Sequence, residues 1–259
     1  VISATGTGKT YLSAFDVRQF RPGRFLFIAH REQILRKAME DYKKVLGGHE
    51  DDYGLYTGTE KSPEAKYLFA TIQTISRPTH LENFQPSTFD YILIDEVHRS
   101  GADTYKRLID YFTPKFLLGM TATPERTDGI NVFELFDYNI AYEIRLQDAL
   151  EQNMLAPFCY FGVVDYEKDG LTIDDTSTLQ DLVSASRVDY ILEKINYYGY
   201  QGDQLRGLMF CSRVDEANEL SQLLNQKGLR TVALSGSHAQ EERGEAVAQL
   251  EQGLLDYIL

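Results

Sequence analysis

The sequence predicts an α/β protein built on parallel sheets, and three observations carry that expectation. Short apolar runs at residues 24–29, 67–70, 91–94 and 116–119 alternate with stretches of helical periodicity. The run Tyr91-Ile92-Leu93-Ile94 is apolar at every position, as a strand covered on both faces of a parallel sheet is. The first turn of the chain, Ser3-Ala4-Thr5-Gly6-Thr7-Gly8-Lys9-Thr10, joins Val1-Ile2, the tail of a strand, to a helix opening at Tyr11, Leu12, Ala14 and Phe15. That is the strand–turn–helix setting of a phosphate-binding loop.

Taken in order, the elements follow from local chemistry. Arg21-Pro22-Gly23 is a turn, and the apolar run after it completes a βαβ unit. Ile34, Leu35, Ala38, Tyr42, Val45 and Leu46 recur at helical spacing and mark one buried face, stopped by Gly47-Gly48. The strand at 67–70 runs into Thr71-Ile72-Gln73-Thr74-Ile75, and the strand at 91–94 ends in Asp95-Glu96-Val97-His98. A helix over 102–112 and a strand at 116–119 lead to Met120-Thr121-Ala122-Thr123-Pro124. In such a doubly wound sheet, ligands gather at the carboxyl ends of the strands.

Near residues 146–157 the pattern changes, which places a first domain at 1–150 and a second at 151–259. The second alternation predicts a strand at 158–164, a helix face of Val188, Ile191, Leu192 and Ile195, and a buried strand at 208–211. Ser212-Arg213-Val214-Asp215 reads as a capping box starting a helix on Val214, Ala217, Leu220 and Leu223. Strands at 231–234 and 256–259 flank a helix near 241–250, and the acidic, Thr-rich segment 165–181 is expected to be a mobile loop. The chain begins and stops within apparent strands, so a fragment with an incomplete second domain is expected.

The 259 residues carry a net charge of −13, unevenly spread. Residues 1–150 hold 18 Lys+Arg against 21 Asp+Glu, whereas residues 151–259 hold 8 against 18. A polyanionic partner would therefore find a basic track only in the first half. No long apolar run or leader supports a membrane span or signal peptide. The two cysteines, Cys159 and Cys211, lack metal-ligand spacing, and a cytoplasmic location is expected.

The chemistry gathers at a few residues. In the signature G-x-x-x-x-G-K-[ST], backbone N–H groups of a small-residue loop point at an anion and the following helix adds its positive end. Thr5, Gly6, Thr7, Gly8, Lys9 and Thr10 supply such a cradle, with Ser3 standing where the general signature has its first glycine. Lys9 would reach the terminal phosphates, and the Thr10 hydroxyl would take one position on Mg²⁺. Asp95 closes an apolar strand as a Mg²⁺-holding carboxylate should, and Glu96 is the candidate for orienting or activating water. Taken alone, an apolar run ending in Asp-Glu also describes a strand with solvated acids at its tip.

Four stretches in order resemble the superfamily 2 helicases and translocases of the DEAD/DEAH-box kind. ATGTGKT at residues 4–10 resembles motif I, AHREQ at 29–33 motif Ia, DEVH at 95–98 motif II in its DExH form, and TATP at 121–124 motif III. ATIQTI at 70–75, MFCSR at 209–213 (similar to motif IV) and ALSGS at 233–237 are weaker matches. IDEVHRSGADTY and GMTATPERTDG look closest to the bacterial branch of type III restriction enzyme helicase subunits.

The resemblance implies two RecA-like P-loop domains closing over ATP and Mg²⁺, with a nucleic-acid strand, DNA in preference to RNA, across both. It implies that His98 contacts Thr121 or Thr123, coupling nucleotide state to strand contacts. It also implies backbone contacts from Arg31, Thr71 and Thr74 in the first domain and Arg213 in the second. Each has a plainer role open to it: a helix cap for His98 and Thr71, a turn hydroxyl for Thr121 and Thr123, a solvated helix start for Arg31. Arg99 and Arg126 could pair with Asp103 or Asp128. Family motifs V and VI have no counterpart here, so weak hydrolysis by this stretch alone is expected. The expected function is an ATP-dependent DNA helicase or translocase within a larger complex. The alternatives are a nucleotide-gated scaffold of a restriction-type assembly and a metabolic P-loop kinase.

Overall fold

In the computed structural model, which describes residues 1–97, 102–124 and 132–259, the apolar runs become strands and the periodic stretches become helices. The chain divides into two units, Val1–Phe158 and Cys159–Leu259. The first contains β1 (Ile2–Ser3), α1 (Lys9–Phe20), β2 (Phe25–Ala29), α2 (Glu32–Leu46), β3 (Tyr53–Tyr56), β4 (Tyr67–Thr71), α3 (Ile72–Ile75) and α4 (Pro78–Leu81). It continues through β5 (Tyr91–Asp95), α5 (Ala102–Tyr111), β6 (Phe116–Met120), β7 (Glu143–Ile144) and α6 (Leu146–Glu151).

Five strands pair in the order β3-β4-β2-β5-β6, every pair parallel. Beyond β6, β1 takes up the hydrogen bonding: Thr121 N–H donates to Val1 C=O at 3.1 Å and Ser3 N–H to Thr121 C=O at 2.9 Å. On its other side β1 pairs with β7 in parallel. Because all of these strands run one way, the segments that follow β1, β2, β4, β5 and β6 leave the same edge of the sheet.

Alternation within each strand builds the core. Phe25, Phe27, Phe69, Tyr91 and Leu93 pack with Ala14, Val17, Leu35 and Tyr42 of α1 and α2. Leu26, Ile28, Leu68, Ile92 and Ile94 face Tyr105, Leu108 and Phe112. Full burial of each large side chain contributes about 1.5–3 kcal/mol before conformational entropy is counted. β3 is an element the sequence pattern does not announce, since Tyr-Gly-Leu-Tyr is short and broken by glycine. Its glycine is required by space: a Cβ on Gly54 would lie 2.6 Å from Ser62 Cβ and 2.7 Å from Ala65 Cβ.

The second unit holds β8 (Glu167–Lys168), β9 (Leu171–Thr172), α7 (Leu179–Leu182), α8 (Ala185–Tyr198) and β10 (Gly207–Leu208). It ends with α9 (Val214–Gln226), β11 (Thr231–Val232), α10 (Gln240–Glu251) and β12 (Tyr257–Ile258). Its sheet is parallel, in the order β10-β12-β11. Val188, Ala217, Leu220, Leu224 and Leu259 form its core. The Arg230 guanidinium grips both oxygens of Asp256, at 2.6 and 3.2 Å, and so ties the start of β11 to that of β12.

Four expectations for this unit are corrected. Residues 158–164 form no strand. Among the described residues no neighbouring strand offers them a ladder; Phe161 stacks on Tyr198 at 4.5 Å and Tyr160 is 86% exposed. At 208–211 only Leu208 belongs to a strand, and Phe210 is 93% exposed, so that run is not buried. The acid that closes onto Ser212 is Glu216, one residue beyond Asp215: it accepts both the Ser212 N–H and hydroxyl at 2.9 Å. The stretch 165–181 carries regular structure, the antiparallel β8–β9 hairpin and the start of α7, capped by the Thr178 hydroxyl. Among the described residues no helix is long and apolar enough to cross a membrane.

Asp90 fastens the amino-terminal ends of the central strands. Its carboxylate accepts the N–H groups of Gly23 at 2.8 Å and Arg24 at 3.3 Å and pairs with Lys115 at 2.7 Å. Lys115, followed by the two backbone donors, holds the Asp90 carboxyl below the usual carboxylate range. The stability it contributes is present above the unfolded-state pKa near 3.9 and is lost as pH falls through the lower folded value. Asp90→Ala is expected to lower unfolding free energy by about 1–3 kcal/mol at neutral pH. Urea denaturation checks this, and the difference from the parent should shrink on acidification.

Candidate functional site

The loop between β1 and α1 is shaped by two left-handed residues, Gly6 at φ 87° and Gly8 at φ 84°. Gly8 is the residue before α1, and a Cβ there would meet nothing within 4 Å. Its glycine is therefore required by backbone conformation and not by crowding. Hydroxyls brace the turn: Thr7 Oγ1 donates to Ala4 C=O at 2.6 Å, and Ser3 Oγ and Thr7 Oγ1 lie 2.5 Å apart. Ser3 is thus a clasp across the base of the loop, a role a glycine could not perform. A pair of hydroxyl residues four apart was the signal for it in the sequence.

Lys9 Nζ donates to the carbonyls of Ser3 at 2.8 Å and Ala4 at 3.1 Å. Partial burial holds its ammonium below the ordinary lysine value, while the charges of Asp95 and Glu96 pull it back up. Asp95, the last residue of β5, is buried, and burial followed by the Glu96 charge pushes its carboxyl up to about 6. The Glu96 N–H, 3.0 Å from Asp95 Oδ1, and Lys9 act in the opposite direction. Glu96 itself has φ 52°, a left-handed conformation that costs a non-glycine residue about 1–2 kcal/mol. The chain therefore turns sharply off the sheet just where the second acid stands.

The structure thus brings Lys9, Asp95 and Glu96 together at one edge, with Thr10 in the first turn of α1. Thr121 joins them through its backbone bonds to β1, and its hydroxyl accepts the Thr123 N–H at 3.1 Å. Thr121 is buried and Thr123 exposed. His98, Arg99, Arg126 and Asp128, with the side chain of Asp103, lie outside the described residues.

The proposed nucleic-acid positions are more varied. Arg31 is exposed at the head of α2. Thr71 and Thr74 are buried, and the Thr71 hydroxyl donates to Thr74 at 2.8 Å, so both are used inside the fold. In the second unit Arg213 donates to the Ser177 carbonyl. A residue passed over in the sequence, Gln73, donates to the His30 carbonyl at 3.1 Å and binds the start of α3 to the segment before α2.

A nucleoside triphosphate with Mg²⁺ fits this donor set. Backbone N–H groups at a helix start, one ammonium, one hydroxyl and one buried carboxylate are what phosphates and a largely hydrated hard cation require. Among the described residues no group of three or more His, Cys, Asp and Glu could hold a metal by protein ligands alone. The cation would then depend on phosphate oxygens, Thr10 and Asp95.

This chain is similar to several known proteins. Residues 1–126 match the family described as Type III restriction enzyme, res subunit. The type I restriction enzyme EcoAI endonuclease subunit of Escherichia coli is 26% identical over 86% of this chain and 31% of its own length. A Saccharomyces cerevisiae protein described as the ATP-dependent helicase IRC3 is 22% identical over 99% of this chain and 40% of its own. The chain therefore spans about a third to two-fifths of the length of these relatives. Among solved structures, a fragment described as an HsdR subunit of a type I restriction enzyme from Vibrio vulnificus superposes with TM-score 0.69. It is 21% identical, covering all of this chain and 48% of that one. The Hef helicase domain of Pyrococcus furiosus superposes at 0.60 with 13% identity, over 99% of this chain and 81% of that one. These likenesses show the α/β, parallel-sheet fold of RecA-like helicase domains.

Since folding raises the Asp95 pKa, the carboxylate opposes folding once pH exceeds the unfolded value near 3.9, and the penalty levels off above about 6. Asp95→Asn is expected to stabilise the nucleotide-free protein by about 1–3 kcal/mol at pH 7.5. The gain should narrow as pH falls toward 4. Thermal unfolding in chelator-containing buffer at several pH values measures it.

Proposed function

Residues 1–126 of this chain belong to the superfamily 2 helicases of the type III restriction enzyme res-subunit kind, and from that premise we propose an ATP-dependent motor that moves on DNA. The observation that carries the reading is the meeting of Lys9 with Asp95 and Glu96, each acting on another's charge at the edge where parallel strands end. In this reading residues 1–150 are the ATP-binding domain and 151–259 part of a second RecA-like domain.

The roles follow from chemistry. Thr5 to Thr10 cradle the phosphates, Lys9 neutralises charge developing on the transferred group, and Thr10 and Asp95 hold Mg²⁺. Bound magnesium would supply Lewis-acid stabilisation of the phosphoryl oxygens. Glu96, turned off the strand by its left-handed backbone, orients the attacking water. His98 and Thr121 or Thr123 relate nucleotide state to strand contacts, and Arg31 supplies a cation for the DNA backbone. Thr71 and Thr74 support α3 and reach DNA only if their mutual bond opens. Arg213 keeps further N–H donors beside the one held by the Ser177 carbonyl. That two of the similar proteins are subunits of restriction enzymes supports DNA and membership of a multi-subunit assembly.

The reading is tested by ATP hydrolysis in the full-length protein, with single-stranded DNA, duplex DNA or RNA added separately. DNA is expected to stimulate. Lys9→Ala and Glu96→Gln should each reduce stimulated hydrolysis by 10²-fold or more, on the order of what electrostatic and general-base groups contribute. Glu96→Gln should still bind nucleotide. If it retains full biological function without hydrolysis, the protein is a nucleotide-gated scaffold.

A further inference from the structure

Two tyrosine hydroxyls fasten the helix of the phosphate loop to the next helix, in opposite directions. Tyr11 of α1 donates to Asp41 Oδ1 of α2 at 3.0 Å, and the next residue of α2, Tyr42, donates to Ser13 Oγ of α1 at 2.7 Å. Ser13 in turn donates to the Thr10 carbonyl at 2.8 Å. A continuous hydrogen-bond chain therefore runs from the first turn of α1 to the C-terminal third of α2.

This chain is built into the core. Tyr42 and Ser13 are both buried, and the Tyr42 ring stacks on Phe25 at 5.4 Å and meets Phe27 and Phe69 edge-on. Burial holds the phenol far above its ordinary pKa, so it remains a donor. Phe and Ala would fill much the same space without the cost of desolvating two hydroxyls. What the hydroxyls add is direction: each bond fixes one helix along the axis of the other, where apolar contacts alone can slip. At its head α2 carries Arg31.

We infer that the Thr10–Ser13–Tyr42 chain is the positioning link that transmits nucleotide occupancy at the phosphate loop to Arg31 on the DNA side of the domain. The inference rests on the motor reading above, which assigns those two ends. A displacement of Thr10 on phosphate binding is passed through Ser13 to Tyr42. From there α2 carries it as a rigid body to Arg31, about 16 Å along the helix at 1.5 Å per residue. Ser13 and Tyr42 are positioning residues and touch neither ligand.

The test measures binding of a fluorescent oligothymidine to the full-length protein with and without a non-hydrolysable ATP analogue and Mg²⁺. The variants are Tyr42→Phe, Ser13→Ala, the double variant and Tyr11→Phe. In the parent the analogue is expected to change DNA affinity about 5-fold or more, and by linkage DNA changes analogue affinity by the same factor. Tyr42→Phe and Ser13→Ala should each bring that factor close to one, while analogue affinity without DNA changes less than about twofold. The double variant should be no worse than either single, because both lie on one chain. Tyr11→Phe, which breaks only the outer bond, should keep the parental factor.

Parental coupling in folded Tyr42→Phe and Ser13→Ala overturns the inference. So does equal loss in Tyr11→Phe, which would mean that helix packing in general is responsible. A factor of one in the parent itself instead overturns the motor reading, and the two failures are thereby told apart.

Discussion

Opposite charges held at the ends of parallel strands are the constraint on which the candidate site depends. Asp95 is buried because β5 runs through the middle of the sheet, and its carboxyl is driven up to about 6 by that burial and by Glu96. Lys9 offsets a small part of this from the neighbouring loop, and is itself held low by its burial. Each group is in an environment that disfavours its charge, and each is improved by a ligand of the other sign. On the proposed reading a phosphate–cation pair satisfies both at once, and binding relieves the unfavourable electrostatics of the ligand-free fold.

The backbone makes this arrangement exact. β1 is only two residues long, yet its bonds to Thr121 and to Tyr142 and Ile144 lock it between the end of β6 and β7. The loop that follows has no freedom to drift from the edge where Asp95 emerges. Glycines at positive φ and the Ser3–Thr7 clasp then shape it. Beneath it, Tyr91 donates to Asp16 at 2.6 Å, so that α1 is also fixed to the strand that ends in Asp95.

The two units depend on different balances. In the first, aromatic and aliphatic side chains cover both faces of a five-stranded sheet, and the pattern of full burial was legible as unbroken apolar runs. In the second, strands are two residues long, and Tyr160 and Phe210 lie in solvent. The same apolar runs therefore meant different things. Hydrophobicity signals that a segment can be a buried strand, but a strand also needs a partner edge, and residues 158–164 have none among the described residues.

The sequence by itself determined the alternation of strands and helices in the first unit, the loop at residues 3–10, and the acids that end β5. Glycine, lysine and threonine at fixed spacing, and strands apolar at every position, are local chemistry that no distant contact needs to supply. Only the tertiary structure decided that Ser3 braces the loop, that Thr71 and Thr74 bond to each other, that Glu216 and not Asp215 serves Ser212, and that β3 exists at all. Those outcomes depend on which groups the fold brings within about 3 Å, a distance at which hydrogen bonds form and which sequence separation does not encode.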